Sequence, residues 1–249
     1  MFYKMSSDNK EGSFWEERET CWVSSNIQCT PAWKAERIGR IPASLISEVC
    51  GRANYGPAIK TKEPEELAEI ICGIREKSFK PDNLLAMEDG IVGEPLVRNW
   101  YSDEVLHRPI TQVGTAVWKK DLYFSASLDG ETKTDEGKDA AIEIKIPGKL
   151  NKKFIEVYES WGKELSNPHP ETYIFASHYD QMTAGSVITN KDGCYYVVAC
   201  LKDSTCFYQY IKTDIKLWET ELYPKALEFH TTYVLPLLQK NNIQVIMPK

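Results

Sequence analysis

The run Ala140-Ala-Ile-Glu-Ile-Lys-Ile-Pro147 alternates apolar and charged side chains with a period of two. Only an extended strand puts every second side chain on one face. Ile142, Ile144 and Ile146 therefore share one side, and Glu143 and Lys145 share the other, about 7 Å apart along the chain. Upstream, Leu122-Tyr-Phe-Ser-Ala-Ser-Leu128 is rich in aromatic and small residues and runs into Asp129-Gly130. If the two strands pair, Asp129 converges on Glu143, and two carboxylates there suit a hard cation such as magnesium. The ammonium of Lys145 then stands beside a water or a scissile phosphate. Taken alone, a Glu-x-Lys on a strand is a solvated face with a weak ion pair, and Asp-Gly is a turn.

Three further segments bear on the choice. Gly90-Ile-Val-Gly-Glu94-Pro-Leu-Val-Arg98-Asn-Trp-Tyr101 reads as the start of a helix with Pro95 in its first turn. Glu94 and Arg98 share a face there, and taken alone they are a surface Glu–Arg pair. Trp33-Lys-Ala-Glu-Arg37-Ile-Gly39-Arg40-Ile-Pro-Ala43-Ser44 precedes a helix expected over 42–52, with Ser44 as its cap. A helix start beside arginine is an anion site, or simply a capped helix. Tyr179-Asp180-Gln181-Met182 falls in an amphipathic helix expected over about 171–189.

Together the four segments resemble the YqaJ-like viral recombinases, the lambda-exonuclease-like branch of the PD-(D/E)xK nucleases, to which viral alkaline exonucleases are related. The resemblance rests on Trp33, Arg37, Gly39, Ala43 and Ser44; on Gly90, Glu94, Pro95, Arg98 and Tyr101; on Ser127, Asp129, Gly130, Glu143, Lys145 and Pro147; and on Tyr179 and Gln181, in family order over roughly residues 30–215. Pro42 stands where the family usually has threonine, and the acidic loop Glu131–Asp139 is longer than a minimal turn.

The resemblance implies an α/β (α+β) fold, a central mixed β-sheet flanked by helices with a restriction-endonuclease-like core. It implies a 5′→3′ exonuclease on double-stranded DNA ends, acting in viral recombination, repair or replication. Asp129 and Glu143 would hold magnesium, which manganese can replace, with the Ile144 carbonyl and Glu94 as further ligands. Lys145 would orient or help deprotonate the attacking water, and Gln181 would position Lys145 or the phosphate. Arg37, Ser44 and Ser127 would bind a 5′-phosphate. A homotrimer and a single-strand annealing protein are the implied partners.

The bulk properties bound these expectations. A chain of 249 residues with 42% hydrophobic residues can bury a sizeable core. It reads as an extension over 1–30, helical or loosely ordered, and a single nuclease domain over 31–249. No apolar run is long enough for a membrane span, and the start lacks a basic-then-apolar signal. The seven cysteines form no Cys-x-x-Cys pair and, with four scattered histidines, no zinc signature. An intracellular, reducing compartment is the expectation, cytoplasm or nucleus of an infected cell. The net charge of −6 argues against a broad nucleic-acid surface, although Arg37, Arg40, Arg52, Lys60 and Lys62 are expected to gather at the phosphate end.

Further elements are a helix over Pro64–Ile74, strands over Gln112–Trp118, Leu122–Leu128 and Ala140–Ile146, and a helix over 151–165. A hairpin of Tyr195–Leu201 with Cys206–Lys212 follows, then a long helix over 214–240 kinked at Pro224. Two other functions fit the same residues. One is an endonuclease or RNA-degrading nuclease on this scaffold. The other is an inactive nucleic-acid-binding module, against which the retention of Asp129, Glu143 and Lys145 argues.

Overall fold

Two short strands, β1 (Trp15–Glu17) and β2 (Cys21–Ser24), open the structure, a computed structural model that describes residues 14–53, 62–76, 81–147, 174–201 and 205–248. Where a helical or loose extension is expected, residues 15–17 and 21–24 are paired strands. Trp15, Cys21, Val23 and Ser24 are all buried, and burying such residues on a pleated surface stabilises strand.

α1 (Pro31–Arg37) begins where Thr30 accepts a bond from the Trp33 N–H and Pro31 needs no donor. Gly39 follows at φ 75° and turns the chain into β3 (Ile41–Pro42). The helix expected over 42–52 is a 3₁₀ turn, Ala43–Leu45, leading into α2 (Ile46–Val49). Gly51, at φ 67°, ends it. α3 (Pro64–Ile71) turns Leu67, Ala68 and Ile71 inward.

α4 (Pro81–Trp100) starts well before Gly90, and Pro95 lies inside it rather than in a first turn. Pro95 and Ile91 both face outward, so the carbonyl that loses its donor stays within reach of water. A π-turn, Tyr101–Leu106, closes the helix.

β4 (Ala116–Trp118) and β5 (Phe124–Ala126) are shorter than expected. Asp129 is not carried at the end of β5 into the strand that pairs with Glu143. The chain changes sheets between them. β6 (Gly130–Lys133) takes up a third of the acidic loop and pairs antiparallel with β7 (Asp139–Lys145), Gly130 opposite Ile142. A Cβ on Gly130 would come within 2.3 Å of Ile110, so only glycine lets the strand start there. After the last described residue of this stretch, Pro147, come α5 (Ala176–Ile188), β8 (Gly193–Cys200) and β9 (Thr205–Lys212). The helix expected over 151–165 lies outside the described residues.

The last element, α6, is a continuous helix over 215–240 with π-turns at Trp218–Leu222 and His230–Val234. Asp214 caps it through the Leu217 N–H. Pro224 and Pro236 each stand two residues after the end of a π-turn, so the missing proline donors are met by widened turns.

The strands form two sheets. One runs β1-β2-β4-β5-β3 and is antiparallel except for the β3–β5 pair. The other runs β6-β7-β8-β9, with β7 and β8 parallel. The molecule is thus a mixed α/β fold with mixed sheets flanked by helices. The main core joins the first sheet to α2, α3, α5 and α6. A second cluster packs Val97 and Tyr101 onto Ile142, Ile144, Val197 and Ala199. β7 is therefore covered on both faces, its isoleucines under α4 and its Glu143 face under α5. Among the described residues no helix is long and apolar enough to cross a membrane.

Candidate active site

Glu143 is 3% exposed, which excludes a solvated strand face. Its Oε1 accepts from Lys145 Nζ at 2.5 Å and from Gln181 Nε2 at 2.6 Å. Gln181 Oε1 accepts a second bond from Lys145 at 3.1 Å. Period-two spacing sets Glu143 and Lys145 side by side, and α5 lays Gln181 across both. The resulting three-membered network satisfies a buried charge pair that would otherwise be costly.

Asp129 arrives from the next strand. β6 begins at Gly130, so β7 lacks a main-chain partner beyond Ile142 on that side. Asp129 Oδ2 takes the Ile144 N–H at 2.7 Å and extends the ladder with a side chain. Arg98 holds the other end of Asp129, donating to its carbonyl at 2.9 Å and to Glu94 Oε1 at 2.8 Å. The Arg98 side chain is only 10% exposed, so the Glu94–Arg98 pair is no surface decoration. The spacing of four relates Arg98 to Glu94; its tie to Asp129 exists only in the folded chain.

Burial, followed by the charges of Glu143 and Glu94, pushes the Asp129 carboxyl well above the usual range. Burial also raises Glu94, against the pull of Arg98. Burial would lower Lys145, but Glu143 and Asp129 outweigh it and hold the ammonium charged. The site therefore carries an excess of hard, mutually repelling oxygens. One oxygen of each carboxylate is bonded to protein, and the other accepts no hydrogen bond among the described residues. Such a donor set fits a magnesium-like cation. Among the described residues, however, no group of three or more His, Cys, Asp or Glu side chains is placed to hold a metal ion. Asp129 and Glu143 form an open pair with Glu94 near by.

The three residues expected at a phosphate also meet. Arg37 stacks on Trp33, one helical turn earlier, at 4.1 Å, and donates to Ser44 Oγ at 3.3 Å. Trp33 Nε1 donates to Ser127 Oγ at 3.1 Å. Ser44 does not cap a helix as expected; it lies within the 3₁₀ turn, whose preceding residue, Pro42, offers no side-chain cap. Burial lowers the Arg37 pKa to about 10, which leaves it charged at neutral pH. Trp33, to which the sequence assigns no role of its own, is the wall that joins Arg37 to Ser127.

The other cations expected here are used elsewhere. Arg40 is fully buried and donates to the carbonyls of Leu122, Glu36 and Ile246. Arg52 pairs with Asp180 and Glu221, and Lys62 with Glu48. Lys60 lies outside the described residues.

The helix-flanked mixed sheets that carry Asp129, Glu143 and Lys145 are similar in fold to solved exonuclease structures. An alkaline exonuclease from Laribacter hongkongensis is 23% identical, with a TM-score of 0.59 over 86% of this chain and 98% of that one. The same enzyme in complex with dAMP gives 24% and 0.60 over the same shares. A phage-related exonuclease from Haemophilus somnus 129PT is 10% identical, with a TM-score of 0.56 over 81% and 96%. The sequence itself matches the YqaJ-like viral recombinase domain over residues 32–191, and the chain belongs to that family. No curated protein sequence matches it.

Proposed function

We propose that this chain is a metal-dependent exonuclease that degrades double-stranded DNA ends in the 5′→3′ direction during viral recombination, repair or replication. One observation carries the reading. Ser127, joined through Trp33 to Arg37, stands two residues before Asp129, a span of at most about 7 Å. A terminal phosphate held by Arg37, Ser44 and Ser127 would sit about one nucleotide from the carboxylates. A strand end, not the middle of a duplex, fits that spacing. The family membership and the exonuclease fold support the same reading.

Asp129 and Glu143 would hold magnesium or manganese, with Glu94 directly or through water and the Ile144 carbonyl as a further oxygen. When bound, the metal polarises a phosphoryl oxygen and lowers the pKa of a water. Lys145 keeps one ammonium hydrogen beyond its bonds to Glu143 and Gln181. It directs that hydrogen to the attacking water or a non-bridging oxygen, offsetting charge that grows on the phosphorane. Gln181 prevents Lys145 from collapsing wholly onto Glu143. Arg98 locks Asp129 by its carbonyl, leaving the carboxylate to face the substrate. Arg37 retains most of its five donors for a phosphate. A homotrimer and a single-strand annealing partner belong to the same reading through the resemblance.

The test is time-resolved digestion of end-labelled linear duplex and closed circular DNA with magnesium. Linear duplex should shorten progressively from its 5′-phosphorylated ends while the circle survives. Nicking of the circle would replace the exonuclease with an endonuclease, and preferential loss of RNA would move the substrate class.

A further inference from the structure

Residues 127–129 carry the chain from one sheet to the other, after β5 ends at Ala126 and before β6 begins at Gly130. Each of the three is held by a side chain from elsewhere. Trp33 donates to Ser127 Oγ at 3.1 Å, Gln28 to the Leu128 carbonyl at 2.7 Å, and Arg98 to the Asp129 carbonyl at 2.9 Å. Gln28 stands in the turn just before α1, and Trp33 and Arg37 lie in α1 itself. One stretch of chain, 28–37, therefore grips the crossover at two successive residues and also carries the arginine of the phosphate pocket.

Gln28 Nε2 reaches a second carbonyl, that of Val113, at 3.2 Å. Both amide hydrogens are then spent. With the amide turned over, its oxygen would face two carbonyl oxygens, so the hydrogen-bond network fixes its orientation. Val113 and Leu128 are buried, and buried carbonyls need donors. Satisfying them is a structural role that many core amides fill. What distinguishes Gln28 is the place it clamps: Leu128 lies between the serine of the phosphate pocket and the aspartate of the carboxylate pair. Asp129 has its own anchors in Arg98 and the Ile144 N–H, and Arg37 has its own in Trp33 and Ser44. Gln28 belongs to neither set and ties one to the other.

We propose that Gln28 is a positioning residue: by clamping the Leu128 carbonyl to the stretch that carries Trp33 and Arg37, it fixes the distance from the phosphate pocket to Asp129 and so sets how many nucleotides each cut removes. The proposal rests on the nuclease reading and adds to it the part that measures the product.

The test compares the full-length parent with Gln28→Ala, which removes the clamp, and Gln28→Met, which keeps its size and has no donor. Duplexes end in a radiolabelled 5′-phosphate or in a 5′-hydroxyl, with magnesium at fixed salt. The parent should release labelled products of a single length, and both variants products of mixed length. On phosphorylated ends the variants' kcat should fall about tenfold or more with KM within about twofold of parental, since a misplacement near 1 Å costs up to about a hundredfold. The loss on 5′-hydroxyl ends should be smaller, because the pocket does not hold those ends. Hydrogen exchange in the free protein gives a reading apart from activity: amides of residues 127–129 should exchange about fivefold faster or more in both variants. A single product length with parental kcat in either folded variant overturns the proposal. An equal proportional loss on both kinds of end, with product length unchanged, overturns it too, as the mark of a structural role alone. Should Gln28→Ala fail to fold, Gln28→Met, which fills the same space, decides. Unchanged exchange at 127–129 overturns the clamp itself. A parent that never cleaves in magnesium overturns the nuclease reading and with it the role given to the clamp, so the two failures are told apart.

Discussion

Gln181 on α5 and Glu143 on β7 are joined by a 2.6 Å bond from Nε2 to Oε1, and the same glutamine accepts from Lys145 at 3.1 Å. A helix and a strand distant in sequence are therefore locked at the one place where a buried carboxylate and a buried ammonium lie side by side. The glutamine bonds both groups, and the chemistry expected of the site follows from that coupling.

The carboxylates should be indispensable for cleavage and dispensable for folding. Asp129→Ala or Glu143→Ala should lower the rate of DNA hydrolysis in magnesium by several orders of magnitude. Circular dichroism and the thermal midpoint should still report a folded protein. Manganese should substitute for magnesium and calcium should not. Full activity in excess chelator, or in either variant, would falsify the metal-assisted mechanism.

Lys145→Arg separates charge from shape. Arginine keeps the cation but replaces a compact ammonium with a planar fork that does not fit between Glu143 and Gln181. Turnover should fall strongly while DNA binding, measured by anisotropy, stays near parental. A variant as fast as the parent would reduce Lys145 to an ion-pair partner of Glu143.

The phosphate pocket predicts a preference for 5′-phosphorylated over 5′-hydroxyl duplexes. A charge-assisted contact contributes roughly 1.5–3 kcal/mol, so initial rates at limiting DNA should differ about tenfold or more. Arg37→Ala should erase that preference and leave the rate at saturating DNA less affected, since Arg37 stands outside the carboxylate network. Equal parental rates on both ends would remove the pocket from the mechanism.

His230 predicts a pH dependence of stability. It is 1% exposed, with Nε2 3.3 Å from the Gly39 carbonyl oxygen and its ring 4.2 Å from Tyr123. Burial depresses its pKa, so the unfolded chain takes up the proton first. Its contribution is complete above about pH 6.5, the unfolded value, and is lost as pH falls from there toward the folded value. The slope reaches about 1.4 kcal/mol per pH unit at most. Thermal midpoints of the parent and His230→Phe, compared at neutral and at mildly acidic pH, should show the larger acid loss in the parent. Burial lowers the His178 pKa as well, and its effect cancels in that comparison. An acid loss as large in His230→Phe as in the parent would assign the titration to other groups.

The Arg52–Asp180 pair predicts a stability loss away from the chemistry. Asp180 is fully buried and Arg52 reaches it at 3.0 Å. Arg52→Ala leaves an uncompensated buried carboxylate at a cost of about 3 kcal/mol or more, or about 10 °C in the thermal midpoint for a chain of this size. A shift below about 2 °C would show that water or the Ser47 hydroxyl replaces the lost donor.

Much of the site is local in origin, and that part is readable from residues alone. A period of two places Glu143 beside Lys145, and a spacing of four places Glu94 beside Arg98 and Trp33 beside Arg37. These relations depend only on strand and helix geometry. Which strand Asp129 joins is not local. The aromatic run before it points to β5, but Gly130 and the close approach of Ile110 start a new strand that pairs with β7 instead. Charge counting likewise assembles Arg37, Arg40, Arg52 and Lys62 at one end, whereas tertiary packing turns Arg40 inward and gives Arg52 and Lys62 to carboxylates remote in sequence. The meeting of His178 with Tyr196, and of Trp33 with Ser127, has no periodic signature, because each joins elements whose relative placement is decided by how the two sheets pack against α1 and α5. The chain's own pattern thus determines which side chains share a face. Only the packed fold decides which faces meet, since that depends on burial and hydrogen-bond satisfaction summed over contacts far apart in sequence.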